Sequence, residues 1–383
     1  MIPIGRPDID ESDIEAVTRV LSGASLIQGP EVGAFESELQ DRLEVEHVVV
    51  TTSGTAAVLM ALLALGTGPG DEVLVTAYSW ISTANVIALC GATPVFVDID
   101  VNSLAMDPVS LRETMHRVER AGRIQRVKAI MPVHPFGYIA DMAGIKEIAD
   151  PLGIPVVEDA ACALGARLDG KPAGSIGKLG CFSFHALKVI TTGEGGAIAT
   201  PSAELADFVR AYRNHGQVRR DGQRRFAFPG ANLRMTEFQA ALGRSQLARL
   251  DDILAERRAL AERYRAHLAR LPLSFQDYES ARTTAQGFVV RLDEDVERGR
   301  LLQELRVRGI EAGTGTIAMP FSDYFREHGA PTRADLARTA QVDRTALSLP
   351  LYNGMSLDDQ DHVIESLSLI LTRSSVLFGS RSV

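Results

Sequence analysis

One lysine lies in a setting that suggests chemistry. The stretch "SFHALKVITTGEGGAIAT" (183–200) places Lys188 between an apolar, strand-like run and a glycine-rich turn. Of the 40 basic residues in the chain only five are lysine, so arginine supplies most of the positive charge. Unlike arginine, a lysine amine can lose its proton and attack a carbonyl carbon. Lys188 is therefore a candidate nucleophile, with a solvated surface lysine as the ordinary alternative.

A second candidate site lies between a predicted strand and a predicted helix. "TTSGTAAVLMAL" places Ser53, Gly54 and Thr55 where the helix would begin. Free backbone N–H groups and the positive end of a helix dipole bind phosphate. The same residues are also common as a plain helix cap. The stretch taken alone leaves both interpretations open.

Polar and aromatic side chains follow other predicted strands. "IPVVEDAACALGA" ends a strand with Glu158 and Asp159, and "GCFSFH" ends another with Ser183. A carboxylate at a strand end could hold a protonated ring nitrogen or could simply cap the next turn. Trp80, the only tryptophan, could stack on a ring or pack in the core.

Together these groups match the needs of one cofactor. Phosphate-binding amides, a carboxylate for a ring nitrogen, an aromatic face and a lysine for a Schiff base are the parts of a pyridoxal 5′-phosphate site. The chain contains neither a GxxxxGK[ST] phosphate loop nor a GxGxxG turn after an early strand. We therefore expect pyridoxal phosphate rather than a nucleotide cofactor.

The elements that would position these residues form an α/β pattern. From Val48 to about residue 200, short apolar runs such as "VLVTA" and "IPVVED" alternate with amphipathic stretches. Such runs predict a mostly parallel sheet covered by helices on both faces. A helical pattern over 236–271 leads to a smaller α/β part that contains "GFVVRL". We predict a large cofactor-binding domain over residues 1–245 and a small C-terminal domain over 246–383.

Composition narrows the class of protein. The formal net charge of −9 argues against general binding to nucleic acid or to an anionic membrane. Three scattered cysteines favour neither a disulfide framework nor a metal site, so we expect no metal. The N-terminus lacks a signal-peptide pattern, and no apolar run has the length of a membrane span. We therefore expect a soluble cytoplasmic protein.

A series of motifs runs in order along the chain: "GPEVGAFE", "SGTAAVLMAL", "DEVLVTAYSWISTANVI", "GATPVFVDID", "MPVHPFGYIADM", "VVEDAACALGA", "GCFSFHALKVITTGEGGAI", "RNHG" and "GANLRMTEFQAALGRSQL". These ordered motifs resemble those of a known family, the DegT–DnrJ–StrS sugar aminotransferases of fold type I. Weaker similarity continues through "LSLPLYNGMSLDD". The resemblance implies a seven-stranded, mostly parallel sheet in the large domain.

The resemblance also implies residue roles. Lys188 would form the Schiff base, Asp159 would pair with the pyridine nitrogen, and Trp80 would stack on the ring. A carboxylate at Asp159 would keep that nitrogen protonated, so that the ring could accept electrons when the substrate carbon loses its proton. The neutral amine of Lys188 would then move that proton as general base and general acid.

Phosphate binding and assembly follow from the same resemblance. Gly54, Thr55 and Ser183 would hold the phosphate. Asn232, in "GANLRM", would reach the phosphate of the neighbouring subunit's cofactor. The resemblance therefore implies an obligate homodimer with shared active sites.

The expected reaction moves an amino group from an amino acid, L-glutamate in the usual case, to a keto sugar. We expect a nucleotide-linked 3- or 4-keto hexose as acceptor. One alternative keeps the cofactor but aminates a keto-cyclitol or another ketone without a nucleotide. A second alternative is a regulatory protein that binds the cofactor or a sugar without turnover, which the joint presence of Lys188, Asp159 and Ser183 disfavours.

Two departures from the family pattern and one basic stretch concern the substrate. Cys162 stands where relatives usually carry His or Gln, which predicts an altered hydrogen-bond network. Small residues around Thr316 replace a usual His-Tyr pair, which predicts a differently shaped acceptor pocket. Arg219 and Arg220, in "RNHGQVRRDGQRR", could bind a nucleotide diphosphate or belong to a mobile, solvated loop.

Overall fold

The computed structural model describes residues 1–372 of the 383-residue chain. The helices are α1 (Glu11–Leu21), α2 (Pro30–Leu43), α3 (Gly54–Ala64), α4 (Ser82–Leu89), α5 (Pro108–Arg120), α6 (Met142–Ala149), α7 (Ala203–Tyr212), α8 (Glu237–Ala248), α9 (Leu250–Leu268), α10 (Arg298–Val307), α11 (Asp323–Glu327), α12 (Ala337–Thr345) and α13 (Leu357–Thr372). The strands are β1 (His47–Thr51), β2 (Glu72–Thr76), β3 (Tyr78–Ser79), β4 (Thr93–Val97), β5 (Val127–Met131), β6 (Val157–Asp159), β7 (Arg167–Leu168), β8 (Lys171–Pro172), β9 (Leu179–Ser183), β10 (Gly196–Thr200), β11 (Gln217–Arg220), β12 (Gln223–Phe226), β13 (Leu273–Phe275), β14 (Phe288–Leu292), β15 (Ile317–Ala318) and β16 (Ala346–Leu349).

Seven strands form the central sheet, in the order β1-β10-β9-β6-β5-β2-β4. Two parallel bridges, Ile130 to Val156 and Val133 to Asp159, join β5 to β6 and so connect a four-stranded and a three-stranded group. β10 is antiparallel to both of its neighbours, and the other six strands run in one direction. The predicted seven-stranded, mostly parallel sheet is confirmed.

Alternate side chains of the sheet point to opposite faces and pack into two separate cores. Val48 and Val50 of β1 pack with α2 residues such as Phe35 on one face, whereas Val49 packs with the α3 residue Met60 on the other. All five residues of β2 are buried. Strands buried on both faces are near-continuously apolar, which explains the runs seen in the sequence.

A smaller α/β unit follows the sheet. β13, β14 and β16 form an antiparallel sheet that packs against α9, α10 and α13 around a third core. Residue Ile2 pairs with Ile310 in a parallel bridge, so the N-terminal segment also contributes to this core. The division at residues 245 and 246 stays a prediction. None of the described helices combines the length and the apolar composition needed to cross a membrane.

The stretch with the predicted helical pattern, 236–271, is helical in the structure and forms two helices, α8 and α9. The break lies at Arg249, whose φ of −111° and ψ of 16° leave the helical region. Its guanidinium group pairs with Asp8, Asp10 and Asp13. The break changes the direction of the chain. The start of α9 then packs in the large core, and its end packs in the small one. Arginine is a good helix former, so the sequence carries no local signal for this break.

Candidate active site

The sheet brings the predicted site residues to one edge. The parallel strands β1, β2, β6 and β9 all end at the same side of the sheet, where α/β proteins bind their ligands. Gly54 follows β1, and Trp80 follows β2 by way of the short strand β3. Asp159 ends β6, Ser183 ends β9, and Lys188 lies in the turn that follows.

Hydrogen bonds orient the Asp159 carboxylate, which is 5% exposed. Its Oδ2 accepts from Thr83 Oγ1 at 2.8 Å, and its Oδ1 accepts from the backbone N–H of Ala161 at 3.2 Å. Since the Thr83 proton is used in this bond, the Ser79 hydroxyl, 3.1 Å away, must donate to Thr83. Thr83 is not among the candidates predicted from the sequence; its signal is a hydroxyl group in the apolar stretch "WISTANVI".

The neighbouring carboxylate has a different role. Glu158 is fully buried and accepts from the backbone N–H groups of Gly174 and Ile176 at 2.8 Å and 2.7 Å. It also bonds His134 Nε2 at 3.0 Å. His134 Nδ1 accepts from the N–H of Ala140, so Nε2 carries the proton and donates it to Glu158. The Glu158 carboxylate is therefore engaged by other groups of the protein, which leaves Asp159 as the candidate carboxylate for a ligand.

The Lys188 amine contacts Cys162. Nζ donates to Cys162 Sγ at 2.9 Å, and both side chains are half-buried. The Lys188 backbone N–H donates to the carbonyl of His185 at 2.9 Å, which closes the turn after β9. The Thr284 hydroxyl donates to the Cys162 carbonyl at 2.7 Å. Lys188 thus lies against the segment that begins with Asp159, as the predicted site requires.

The first turn of α3 faces Ser183. The Ser53 side chain caps the helix by accepting from the N–H of Ala56 at 3.1 Å. Within residues 1–372 the N–H groups of Gly54 and Thr55 donate to no backbone acceptor, as expected at a helix start. A Cβ atom on Gly54 would lie only 2.7 Å from Ser183 Cβ, so glycine permits this close approach. Helix amides and the Ser183 hydroxyl therefore lie close together, and their role in phosphate binding stays a prediction.

Trp80 and Thr316 lie together at the border between the sheet and the small unit. Trp80 is 63% exposed, so its ring is not a core residue in the single chain. β15 pairs with β3, which places Thr316 beside Trp80. The Thr316 N–H donates to Tyr78 Oη at 3.1 Å. Burial raises the pKa of Tyr78 to about 12, so the phenol stays neutral. Gly315, with φ of 82°, packs so closely on that hydroxyl that any larger residue would clash.

The basic stretch forms a hairpin of two short strands. β11 and β12 pair through an Asp221-Gly222 turn in which both residues have positive φ, 52° and 72°. This is the geometry of a type I′ turn, for which Asp-Gly is a typical sequence. Arg219 and Arg220 are both exposed on β11. Their role in substrate binding stays a prediction.

Asn232 lies at the base of the hairpin. It is exposed, and its backbone pairs with Asn214 in an antiparallel bridge. Arg234 Nη1 donates to Asn214 Oδ1 at 2.8 Å, which holds the two segments together. The exposed amide of Asn232 is free to meet another molecule, and its role toward a neighbouring subunit stays a prediction.

These groups fit pyridoxal phosphate. An anion cradle that a Cβ atom would fill at Gly54, an oriented carboxylate at Asp159 and an amine at Lys188 match the phosphate, ring nitrogen and aldehyde of that molecule. Among the described residues, His, Cys, Asp and Glu form no cluster that could hold a metal ion.

Comparison with known proteins agrees with this geometry. The model of the DegT/DnrJ/EryC1/StrS aminotransferase family matches residues 7–368. The chain is 36% identical to the spore coat polysaccharide biosynthesis protein SpsC of Bacillus subtilis, with 96% of each chain covered. It is also 36% identical to GDP-perosamine synthase of Caulobacter vibrioides, with 97% of this chain and 98% of the relative covered.

A third relative and a solved structure extend the comparison. UDP-4-amino-4-deoxy-L-arabinose–oxoglutarate aminotransferase of Shewanella sediminis is 35% identical, with 97% of this chain and 98% of the relative covered. The sugar aminotransferase Spr1654 of Streptococcus pneumoniae, solved in its PMP form, superposes with a TM-score of 0.91 at 27% identity, covering 97% and 98% of the two chains. It is also solved in a PLP form. With this fold and this site, the chain belongs to the DegT/DnrJ/EryC1/StrS aminotransferase family and is an aminotransferase whose cofactor is pyridoxal 5′-phosphate.

Proposed function

We propose that this aminotransferase moves the amino group of L-glutamate to a nucleotide-linked 3- or 4-keto hexose, and that Lys188 is the amine that holds the cofactor covalently. The observation that carries the proposal is the position of Lys188 Nζ, 2.9 Å from Cys162 Sγ at the carboxyl edge of the sheet. Cys162 belongs to the segment that also carries the oriented carboxylate of Asp159, so this contact brings Lys188 to that segment.

The names of two relatives support the substrate class. One is a synthase of GDP-perosamine, and the other pairs a UDP-linked amino sugar with oxoglutarate. Glutamate is the amino acid that gives 2-oxoglutarate when it loses its amino group. A nucleotide-linked acceptor and glutamate as donor are therefore the first choices for this chain.

Each residue of the site would have a separate role in the reaction. When bound, pyridoxal phosphate supplies an electron-withdrawing ring that stabilises the charge left on a substrate carbon after proton loss. Asp159, held by Thr83 and Ala161, would keep the proton on the ring nitrogen. Lys188 Nζ would take the proton from the substrate carbon and return it. The first-turn amides of α3 and the Ser183 hydroxyl would hold the phosphate.

The acceptor would lie between the hairpin and the sheet edge. Arg219 and Arg220 are exposed guanidinium groups suited to a diphosphate. Asn232, at the base of the same hairpin, would bind the phosphate of a cofactor in the neighbouring subunit. The role proposed for Asn232 requires a homodimer in which each chain completes its partner's site.

A second candidate is a keto-cyclitol or another ketone without a nucleotide. The observation that favours it is the small Gly315-Thr316 turn, which packs on Tyr78 beside Trp80. Small side chains at this border leave room for an acceptor of a different shape.

A spectrum and a product screen test the proposal. The purified protein should be yellow, and L-glutamate should shift its absorbance band as the amino group is transferred. Nucleotide-linked keto hexoses, free keto sugars and keto-cyclitols are then offered as acceptors, and products are identified by mass. Amination of the nucleotide-linked hexoses is expected, and amination of the cyclitols alone would support the second candidate.

Variants at two lysines test whether Lys188 is the amine that holds the cofactor. Lys188→Ala should lose both the absorbance of the covalently held cofactor and turnover. Lys171→Ala, an exposed lysine on β8, is the matched control and should keep both. Turnover by Lys188→Ala at the wild-type rate, or a spectrum that no amino acid changes, contradicts the proposal.

A further inference from the structure

The contact between Lys188 and Cys162 joins two groups that can react with each other. Nζ and Sγ lie 2.9 Å apart, without an atom between them. Cys162 is partly exposed, whereas Cys90 and Cys181 are buried. A small oxidant in solvent can therefore reach Cys162 more readily than the other two thiols.

The surrounding structure holds both partners in place. The Thr284 hydroxyl fixes the Cys162 carbonyl at 2.7 Å, and Gly137, with φ of 91°, packs against the same carbonyl. On the other side, the Lys188 N–H bonds the His185 carbonyl at 2.9 Å. Groups held in contact react far faster than groups that must first meet by diffusion.

A second basic side chain lies near the sulfur. Besides Lys188, the buried guanidinium of Arg257 lies within electrostatic range of Cys162. Burial lowers the pKa of Arg257 to about 10, and the negative charge of Glu256 opposes this shift. Reactive thiols are typically partly exposed and lie beside Lys or Arg, as Cys162 does.

We propose that Cys162 and Lys188 are a modification site: in the chain without cofactor, hydrogen peroxide joins them through a reversible sulfur–nitrogen bond. The sulfur first attacks a peroxide oxygen, the O–O bond breaks, and Cys162 becomes a sulfenic acid while one water forms. The Lys188 amine then attacks that sulfur, the S–O bond breaks, and the hydroxyl group leaves as a second water with a proton from the amine. Sulfur loses two electrons, hydrogen peroxide gains them, and the thiol and the amine each lose one hydrogen.

The bond would block the amine that captures the cofactor. This consequence rests on the proposed role of Lys188, whereas the bond itself does not. A thiol reductant would attack the sulfur, free the amine and restore the cysteine. Bound cofactor would prevent the reaction, because the amine would already be engaged.

Peptide mass mapping tests the bond. The full-length chain, stripped of cofactor, is treated with hydrogen peroxide, alkylated at free thiols and digested with trypsin without reductant. The Cys162 peptide should be joined to a peptide that trypsin has left uncut after Lys188, and the pair should be lighter than the sum of the two by two hydrogens. Reduction should separate the pair and restore cleavage. A Cys162–Cys181 disulfide would leave Lys188 cleavable, and such a result overturns the proposal.

Matched variants complete this test. Cys162→Ser and Lys188→Arg should give no joined peptides, and Cys181→Ala should give them as the parent chain does. Thermal unfolding shows whether each variant is folded. Peroxide treatment that leaves Cys162 alkylatable, or oxidises it to an acid while Lys188 stays cleavable, overturns the proposal.

A second readout separates this inference from the proposed function. Pyridoxal phosphate is added to the oxidised chain, and its absorbance is followed before and after thiol reduction. We expect the band of the covalently held cofactor only after reduction, and no effect of peroxide on uptake by Cys162→Ser. If the joined chain takes up cofactor covalently, the role of Lys188 is wrong although the bond exists.

Discussion

At the scale of single residues, hydrogen bonds distinguish two adjacent carboxylates. Glu158 and Asp159 follow each other on β6, so their side chains point to opposite faces of the sheet. The Glu158 carboxylate oxygens accept hydrogen bonds from backbone N–H groups and from His134. Asp159 accepts one hydroxyl and one amide proton, which orients it and leaves lone pairs for a further donor.

Substitution of the two carboxylates should therefore have different effects. Asp159→Asn keeps the shape but cannot keep a ring nitrogen protonated, so kcat should fall on the order of 10²–10³-fold, as when one preorganised electrostatic partner is lost. Thr83→Val, which removes one hydrogen bond to Asp159, should lower kcat about tenfold. Steady-state kinetics with glutamate and the identified acceptor measure both.

The matched control is Glu158→Gln. It should reduce the free energy of unfolding by about 1–3 kcal/mol because buried donors lose a charged acceptor. Chemical denaturation measures this loss. A folded Asp159→Asn enzyme with wild-type kcat contradicts the assigned role of Asp159.

At the scale of elements, the hairpin of β11 and β12 carries unbalanced charge. Its register places Arg219 directly opposite Arg224, and like charges in that position destabilise a strand pair. Within residues 1–372, neither of these two arginines forms an ion pair with a carboxylate that would offset their repulsion. A bound anion would stabilise this pairing, which supports the proposal that the hairpin binds a diphosphate.

The double variant Arg219→Ala, Arg220→Ala should raise the KM for a nucleotide-linked acceptor. Loss of charge-assisted hydrogen bonds to phosphate predicts about a 10- to 100-fold increase. The KM for the amino donor should not change, and Arg270→Ala, an exposed arginine far along the chain, should change neither. An unchanged acceptor KM excludes diphosphate binding by these two residues.

At the scale of the whole molecule, apolar side chains around the site are uncovered in the single chain. Trp80, Leu187 and Phe226 are 63%, 42% and 66% exposed, and Leu26 and Ile27 are exposed as well. Trp80 and Leu187 adjoin the site, and Phe226 lies on the hairpin. Exposed apolar surface of this kind is typical of an interface, which supports the proposed homodimer.

Complementation between two inactive chains tests the shared site. Asn232→Ala and Lys188→Ala should each lose most activity alone. When the two are co-expressed, a mixed dimer contains one site with both residues intact, so about a quarter of wild-type activity should return, since half of the dimers are mixed and each has one good site of two. Sedimentation measures the oligomeric state. No recovery in verified mixed dimers contradicts a shared site.

The sequence by itself determined the class of sheet, the family and the residue types at the strand ends. These features depend on local spacing: near-continuous apolar runs, glycine-rich turns and ordered motifs can be recognised without any knowledge of distant contacts. Lys188 and Asp159 were predicted in this way, and the structure places both at the carboxyl edge of the sheet.

Only the tertiary structure decided that His134 engages Glu158, that Thr83 orients the Asp159 carboxylate, and that Lys188 meets Cys162. It also placed the helix break at Arg249 and turned the basic stretch into a hairpin. The physical reason is that most of these features depend on partners from other segments. A hydrogen bond or a packed core between distant residues leaves no periodic trace in the sequence, because only folding brings those atoms within reach.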